Sequence, residues 1–532
     1  MNWIAQICLL AFGWRRAMLM IAAGALAGLS MPPFFVLPAL FLAMPLWVWC
    51  LDGAERKNGL GRLLGPPFAI GFFFGLGYFL VSLHWVGAAF FVDGGWTLAL
   101  MPLAVLALAA AMALFWGFAS SLAHLFWPPS HVRIVVLALA VSLAEFARGH
   151  LFSGFPFDLP GYALTGTDTM MQLASVTGIY GLTFLALLMA FLPALVWPAD
   201  QRGLAARLVP LFVLTSMLAA QLALGQYRLR TTQVGVRPDM RLRLVQPSVS
   251  QIEKWQPGSP EKVLSRLIDL STSLTGPDDT GLIGITHLIW PEAALPFFLA
   301  DFPQALVRIA DMLPRGTLLL TGAPRREQGE GDQAREFNSL LMINSDGEQT
   351  ASYDKTHLVP IGEYLPYEQF LSRFGLKRIV AANKGWSHGE TPRLLKGTTT
   401  PPFVPLICYE AVFSGGLGEG AGRAAFILNL TNDAWFDGSI GPAQHFHHAR
   451  LRAVEQGLPM VRAANSGKSA LVDPLGRIVD AMEPGQTGVM DFSMPEKLPG
   501  TVFSRFGNWV FFALLLLAAI PVGLHALARK KP

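Results

Sequence analysis

The sequence predicts a chain of two architectures, a multi-span α-helical membrane domain and an α/β domain with a layered core. Two observations support this fold class. The 532 residues are 52% hydrophobic and only 14% charged, which is not the composition of a soluble protein. The apolar residues are also unevenly spread, because they concentrate in residues 1–230 and 508–528 and leave residues 239–500 comparatively polar.

About eight apolar segments are predicted to cross a membrane, because a spanning helix needs about 20 mostly apolar residues. Seven form the predicted N-terminal membrane domain, residues 1–230, and the eighth lies at residues 508–528. The first ten residues are apolar but too short to span, and we expect an interfacial segment rather than a cleaved signal peptide. The predicted spans are Arg15–Met31, Phe34–Leu51, Pro66–Val86, Thr97–Trp127, Val132–Arg148, Ala174–Trp197, Ala206–Leu224 and Asn508–Ala528.

The loops between these spans predict an orientation, because Lys and Arg mark the cytoplasmic side of a membrane protein. The alternate loops carry almost no basic residues, with Arg148 as the exception. Both termini are therefore expected in the cytoplasm, which places residues 239–500 on the periplasmic face of a bacterial inner membrane. The basic clusters are Arg15 and Arg16, Arg56 to Arg62, Arg133, Arg202 and Arg207, and Arg529 to Lys531.

The net charge of +4 follows the same division. Between Asp239 and Arg505 the chain has 25 Lys and Arg against 29 Asp and Glu, and the remainder has 15 against 7. The positive balance therefore belongs to the membrane loops. It does not indicate a nucleic-acid-binding surface.

The polar domain alternates short apolar runs with amphipathic stretches such as Pro260–Leu274 and Pro303–Leu313. Strands that alternate with helices in this way are typical of an α/β domain with a layered core. The predicted strands are Leu242–Val245, His287–Trp290, Thr317–Thr321, Ser339–Ile343, Phe403–Cys408, Ala424–Leu430 and Ser469–Val472.

Cys408 is the only cysteine of the polar domain, because Cys8 and Cys50 lie in strongly apolar sequence. It ends the apolar run Phe403–Cys408, and Glu410 follows two residues later. A thiol at a strand end is a candidate nucleophile, but a buried cysteine can also be an inert small hydrophobe. The local sequence leaves both interpretations open.

Two other polar residues could activate this thiol. Glu292 follows an apolar run in Trp290-Pro291-Glu292, and Lys355 lies in Tyr353-Asp354-Lys355-Thr356-His357. A thiol needs a base or a positive field to act as a nucleophile, and acyl transfer needs a donor where the oxyanion forms. Glu292 is suited to take the proton and Lys355 to hold the oxyanion.

These residues and their contexts resemble the Glu-Lys-Cys triad of the nitrilase, or carbon–nitrogen hydrolase, superfamily. With spans on both sides, the whole chain resembles the membrane-embedded apolipoprotein N-acyltransferase family. The resemblance implies an α-β-β-α sandwich with Glu292, Lys355 and Cys408 as the catalytic residues. The further matching motifs are Gly154-Phe155-Pro156, Lys254-Trp255, Pro360-Ile361-Gly362-Glu363, Asn432-Asp433-Ala434-Trp435-Phe436 and Gly441-Pro442-Ala443-Gln444-His445-Phe446.

The resemblance also implies supporting roles for residues around the triad. Glu363 would assist the triad, Tyr409 and Glu410 would shape the pocket, and Trp435 would contribute to substrate binding. Trp255 would lie on a mobile arm that admits substrate. Ile361 stands where the family often has Phe, an apolar exchange that should leave Glu363 undisturbed.

The implied activity is acyl transfer from a glycerophospholipid to the α-amine of the diacylglyceryl-modified N-terminal cysteine of a lipoprotein, through a thioester on Cys408. No cofactor is required. An alternative is a membrane-tethered amidase with the same triad and water as the second nucleophile. A transporter or binding scaffold is a third interpretation, but intramembrane charge is sparse and no triad residue is missing.

Two further groups of polar residues have structural interpretations. His445, His447 and His448 could suggest a metal, but positions i and i+2 do not share a helix face, so no metal site is predicted. Glu145 and Arg148 stand three apart at the end of the fifth predicted span, where a structural role is favoured over a functional one.

Overall fold

The computed structural model describes residues 2–55, 58–59, 61–197, 203–254, 256, 258–327, 334–364, 385–390, 394–415, 417 and 420–528. The chain divides into two compact units. The first unit consists of Met1–Thr232 with Arg505–Pro532, and the second unit is Gln233–Ser504.

The first unit is built from helices. Its longer α-helices are strongly apolar, because almost every position either packs against another helix or lies on the outer surface of the helical bundle. The α-helices are Asn2–Leu10, Gly13–Gly28, Leu37–Asp52, Gly61–Leu64, Pro66–Leu83, Ala89–Asp93, Met101–Leu125, Val132–Arg148, Asp168–Met171, Ala174–Phe191, Leu204–Thr231 and Trp509–Ala528, with 3₁₀ turns at His84–Ala88, Gly95–Leu100, Leu151–Ser153, Pro160–Thr165 and Leu192–Leu195.

Five helical segments in the described residues are long and apolar enough to cross a membrane. Three predicted spans form shorter helices, Gly13–Gly28 and Leu37–Asp52 with 16 residues each and Val132–Arg148 with 17. The described residues thus contain five candidate spans, and the predicted count of eight is not shown. The five are Pro66–Val92, Thr97–Leu125, Ala174–Leu195, Leu204–Thr231 and Trp509–Ala528.

A buried ion pair lies inside the first unit. Arg148 Nη2 donates to Glu145 Oε2 at 2.6 Å, and both side chains are fully buried rather than directed to an interface. Trp116 Nε1 donates to Glu145 Oε1 at 2.6 Å, and Arg148 Nη1 donates to the Phe155 carbonyl at 2.5 Å. These bonds offset the cost of burying two charges, as a structural role requires.

The second unit contains two β-sheets. One has six strands in the order β11-β1-β2-β3-β4-β5, and the other has five in the order β10-β9-β8-β7-β6. The strands are β1 Val236–Gln246, β2 His287–Ile289, β3 Leu318–Glu327, β4 Arg335–Ile343, β5 Gln349–Asp354, β6 Val404–Ile407, β7 Ile427–Thr431, β8 Met460–Ala464, β9 Ser469–Val472, β10 Ile478–Met482 and β11 Gly488–Pro495.

Each sheet combines three adjacent parallel strands with antiparallel strands, and in the five-stranded sheet the parallel strand β6 forms one edge. Strands β1, β2 and β3 run parallel, as do β6, β7 and β8, while β4, β5, β9, β10 and β11 pair antiparallel to their neighbours. Three strands of each sheet therefore point their carboxyl ends toward one edge, which is where α/β proteins commonly place their sites.

The two sheets pack face to face between layers of helix. Ile289 and Leu428 lie in one apolar cluster between the sheets, whereas their neighbours Leu288 and Ile427 pack outward against helices. This alternation follows from the period of two along a strand. The result is an α-β-β-α sandwich. Its helices are Gln251–Lys254, Ser259–Thr272, Pro303–Met312, Gly441–Gln456 and Val502–Phe506.

Candidate active site

Glu292 lies in a tight turn directly after β2. Trp290 is fully buried, and its Nε1 donates to Ser271 Oγ at 2.9 Å, which anchors the start of the turn. Gly322 of β3 passes so close that a Cβ there would lie 2.6 Å from the Glu292 Cα, so only glycine fits. The turn therefore holds the carboxylate against the sheet, where it is 5% exposed.

Lys355 follows β5 and is held by two carboxylates. Its Nζ is 2.8 Å from Glu363 Oε1 and 3.4 Å from Glu292 Oε1, and the residue is 1% exposed. Burial lowers the pKa of the ammonium, but Glu363 and Glu292 outweigh that effect and hold the pKa above its usual value. Lys355 is therefore a fixed cation at neutral pH.

Asn338 of β4 links the two carboxylates. Its Nδ2 donates to Glu292 Oε1 at 2.8 Å and to Glu363 Oε1 at 3.2 Å. The Val359 amide also donates to Glu363 Oε2 at 2.8 Å. Both acids thus have fixed orientations. Sequence reasoning missed Asn338, because nothing in its local sequence marks it as part of the site.

Cys408 directly follows β6 and begins the 3₁₀ turn Cys408–Val412. Its φ of 49° is in the left-handed region, a strained conformation for a residue with a Cβ and one often found at functional sites. The residue as a whole is half-buried. Burial and the field of Glu292 raise the pKa of this thiol to about 12, although Lys355 and Thr431 act in the opposite direction. The resting thiol is therefore protonated, and a nucleophilic step needs a base.

Glu410 joins the Cys408 turn to the Lys355 loop. Its Oε2 accepts the Ile407 amide at 2.7 Å, and its Oε1 accepts the Thr356 amide at 2.7 Å. The hydroxyls of Tyr353 and Thr356 donate to the same Oε1 at 2.9 and 2.8 Å. Because the carboxylate bonds to both sheets, it fixes where the lysine stands relative to the cysteine.

A second hydrogen-bond network, which the sequence did not reveal, supports the Cys408 backbone at its carbonyl oxygen. His445 Nε2 lies 3.0 Å from the Cys408 carbonyl oxygen, and its Nδ1 lies 2.9 Å from Asp433 Oδ1. Arg462 Nη2 donates to Asp433 Oδ2 at 2.8 Å. Arg462 and His445 hold the pKa of Asp433 well below its usual range despite burial. With Nε2 as donor, this network steadies the strained turn.

The other predicted site residues take varied places. Tyr409 is buried, with its ring edge-on to Phe413 at 5.1 Å. Trp435 lies in the turn Asp433–Phe436 after β7 and is partly exposed. Trp255 lies outside the described residues. The described part of the chain has no cluster of three or more His, Cys, Asp or Glu side chains arranged for a metal.

This arrangement supplies the parts of a covalent acyl transfer. A thiol, a carboxylate and a fixed ammonium meet at the carboxyl ends of strands from both sheets. The carboxylate can accept the thiol proton, and the ammonium can stabilise negative charge on an attacked carbonyl.

Residues 241–495, which form the sandwich, match the carbon–nitrogen hydrolase family. An amidase of the nitrilase superfamily from Nesterenkonia has a solved structure with 18% sequence identity, covering 53% of this chain and 99% of its own, with a TM-score of 0.35.

Residues 23–192 match the apolipoprotein N-acyltransferase N-terminal domain. Apolipoprotein N-acyltransferases from Rhodopseudomonas palustris and Bradyrhizobium diazoefficiens are 40% and 39% identical to the chain, and each alignment covers 99% of this chain and 98% of the relative. The chain therefore belongs to the apolipoprotein N-acyltransferase family.

Proposed function

We propose that this protein N-acylates apolipoproteins, using a glycerophospholipid as donor and Cys408 as the covalent carrier of the acyl chain. The observation that carries the proposal is the meeting of Glu292, Lys355 and the Cys408 turn at one edge of the sandwich. Full-length similarity to the relatives selects this transfer from the reactions that such a site can perform.

In the first half-reaction, Cys408 Sγ attacks an ester carbonyl of the phospholipid while Glu292 takes the thiol proton. Lys355 stabilises the resulting oxyanion. The carbon–oxygen bond to glycerol then breaks, and Glu292 returns its proton to the departing lysophospholipid hydroxyl. The protein retains the acyl chain as a thioester.

In the second half-reaction, the α-amine of the diacylglyceryl-cysteine attacks the thioester. Glu292 takes a proton from the attacking nitrogen, and the carbon–sulfur bond breaks. That proton returns to the Cys408 thiolate, so the enzyme is regenerated and the lipoprotein carries an amide. A thioester suits this step because amines attack it readily.

The supporting residues have separate tasks in this scheme. Glu363 forms an ion pair with Lys355 and fixes the orientation of its side chain. Glu410 holds the loop that carries Lys355 against the turn that begins at Cys408. We assign Tyr409 and Trp435 to the walls of the acyl pocket. Trp255 is assigned, from the sequence resemblance alone, to an arm that admits substrate.

The membrane arrangement is also a proposal. Eight spans, seven within residues 1–230 and one at 508–528, would place both termini in the cytoplasm of a bacterium. The catalytic domain, residues 239–500, would then face the periplasm. The alternating basic loops support this arrangement. Donor and acceptor lipids would meet at the outer leaflet of the inner membrane.

The experiment that tests the function separates an acyltransferase from an amidase that uses water. Purified protein receives phospholipid together with a diacylglyceryl-cysteine peptide, and lysophospholipid and N-acylated peptide are measured by mass spectrometry. We expect equal amounts of both products. The control peptide has an acetylated α-amine that cannot attack the thioester, so it should yield no N-acylated peptide and at most one equivalent of lysophospholipid per enzyme. Sustained release of free fatty acid with the control would contradict the proposal.

A further inference from the structure

Lys254 is unlike the other buried cations of the second unit. Arg243, Lys355, Arg452 and Arg462 each have an acidic side chain within 4 Å, at 2.6, 2.8, 3.0 and 2.8 Å respectively. Lys254 is equally buried, at 2% exposed, but its Nζ has no hydrogen-bond partner among the described residues. A buried ammonium without a partner is costly, so its presence needs an explanation.

The position of Lys254 connects it to the active site. It ends the short helix Gln251–Lys254, which follows β1. The segment before the helix crosses to the other sheet, where the Val249 amide donates to Asn465 Oδ1 at 3.2 Å and the Ser248 amide donates to the Asn465 carbonyl at 2.8 Å. The short helix that ends at Lys254 therefore lies at the same edge of the sandwich as Glu292.

The electrostatic effect of Glu292 on Lys254 agrees with this placement. Burial lowers the pKa of Lys254 to about 8, and the Glu292 carboxylate acts against that shift. A pKa of 8 leaves the ammonium mostly charged at neutral pH. The site thus contains a second cation besides Lys355.

Lys355 cannot bind an anionic substrate group, because its ammonium is already paired with the carboxylates of Glu363 and Glu292. Lys254 has no such partner among the described residues and retains its capacity to donate hydrogen bonds. An incoming anion would supply the partner that this part of the chain does not. Lysine is well suited to phosphate, which it binds as a point charge.

We propose that Lys254 binds the phosphodiester of the acyl-donor phospholipid. This inference rests on the proposed function. The phosphodiester is the charge that glycerophospholipids share, and only the glycerol backbone separates it from the ester that Cys408 attacks. The diacylglyceryl-cysteine acceptor has no phosphate, so Lys254 acts in the first half-reaction and discriminates donor from acceptor.

The test compares two donors that differ in the phosphate. Full-length protein is given phosphatidylglycerol or a diacylglycerol with the same acyl chains, and the rate of Cys408 acylation is followed by intact mass. We expect the wild type to prefer the phospholipid. Lys254→Met should reduce the ratio of the two rates by about tenfold or more, the scale of a lost hydrogen bond to a charged group. Lys254→Arg should preserve more of the preference.

A matched control is Lys262→Met, which removes an exposed lysine of the neighbouring helix and should leave the ratio at its wild-type value. An unchanged ratio in Lys254→Met would overturn the inference. Equal slowing with both donors would also overturn it, since that result assigns Lys254 to charge balance with Glu292. A wild type that phospholipid does not acylate would instead contradict the proposed function.

A second measurement needs no variant at Lys254. A soluble glycerophosphodiester should slow acylation of the wild type by diacylglycerol, because the phosphodiester binds at Lys254. Inorganic phosphate at the same concentration should slow it less if the site is shaped for a lipid phosphodiester. Absence of inhibition by the glycerophosphodiester would count against the inference even if the lysine variants fail to fold.

Discussion

Glu292 and Lys355 act on the Cys408 thiol with opposite signs. The carboxylate, together with burial, raises the pKa of the thiol to about 12, and the ammonium lowers it. The resting site thus favours a protonated thiol beside the Glu292 carboxylate. In the proposed mechanism, proton transfer to Glu292 accompanies attack on the substrate, which would protect the unacylated enzyme from reactions of a free thiolate.

Because Glu292 and Lys355 shift the pKa of the thiol in opposite directions, replacing them should have similar effects on turnover but opposite effects on thiol reactivity. Glu292→Gln should lower turnover by roughly 10²-fold or more, because the base is lost. The same change should lower the pKa of Cys408 and so speed its alkylation by iodoacetamide at a fixed pH. Lys355→Met should lower turnover similarly but slow alkylation, because the pKa of the thiol rises. The measurement is the alkylation rate from pH 7 to 10.

Glu348→Gln, which changes an exposed carboxylate of the same unit, is the control and should alter neither quantity. If Glu292→Gln slowed alkylation, or if either site variant turned over within about threefold of the wild type, the assigned roles would be wrong.

His445 offers a prediction about positioning rather than proton transfer. His445→Leu removes the bond to the Cys408 carbonyl, and we expect kcat to fall about tenfold with little change in KM, the scale of one buried hydrogen bond. His445→Gln can still donate to that carbonyl and should recover part of kcat. A leucine variant with the kcat of the wild type would show that the strained turn needs no such support.

At the residue scale, the sequence indicates the chemistry more clearly than it indicates the surrounding hydrogen bonds. Glu292 and Cys408 stand at the ends of apolar runs, and the residue types of Glu292, Lys355 and Cys408 suggest a base, a cation and a nucleophile. Asn338 and His445 escaped prediction because their roles depend on hydrogen bonds to residues 46 and 37 positions away. In the sequence, His445 stands out only as part of a matching motif and as a possible metal ligand, and neither indicates a bond to the Cys408 carbonyl.

Glu410 works at the scale of elements, because it ties the β6 turn to the loop after β5. Glu410→Gln keeps the shape but removes the charge, which weakens several hydrogen bonds at once. We expect a lower thermal midpoint and a turnover reduced by about tenfold or more. Tyr353→Phe removes one donor to the same carboxylate and should have a smaller effect on both.

The two variants are compared by thermal unfolding and by acylation rate at saturating donor. A Glu410→Gln protein with the stability and rate of the wild type would show that the link between the sheets does not position Lys355.

Element boundaries show where sequence patterns mislead. The first predicted span, Arg15–Met31, continues to an apolar residue, but its helix ends at Gly28 and a turn leads into Pro32 and Pro33. Proline removes a backbone donor, so apolar character alone does not extend a helix. The predicted strands leave out β5, β8, β10 and β11. Of these, β8 contains the buried Arg462 and β10 is largely exposed.

At the scale of the whole molecule, the distribution of Lys and Arg predicts a topology that can be tested directly. A reporter active only in the periplasm, inserted after Asp346 in an exposed turn, should be active, and the same reporter after Pro532 should be silent. A cytoplasmic reporter at each site is the matched control and should give the opposite pattern. An active periplasmic reporter at Pro532 would contradict the predicted orientation.

The central claim is that Cys408 carries the acyl chain. The most direct measurement is the intact mass of purified protein incubated with phospholipid and no acceptor. We expect a mass increase of one acyl chain, located on Cys408 by digestion, lost on addition of the acceptor peptide and absent from Cys408→Ala. An enzyme that N-acylates the peptide without this adduct, or a Cys408→Ala variant that retains turnover, would contradict the account.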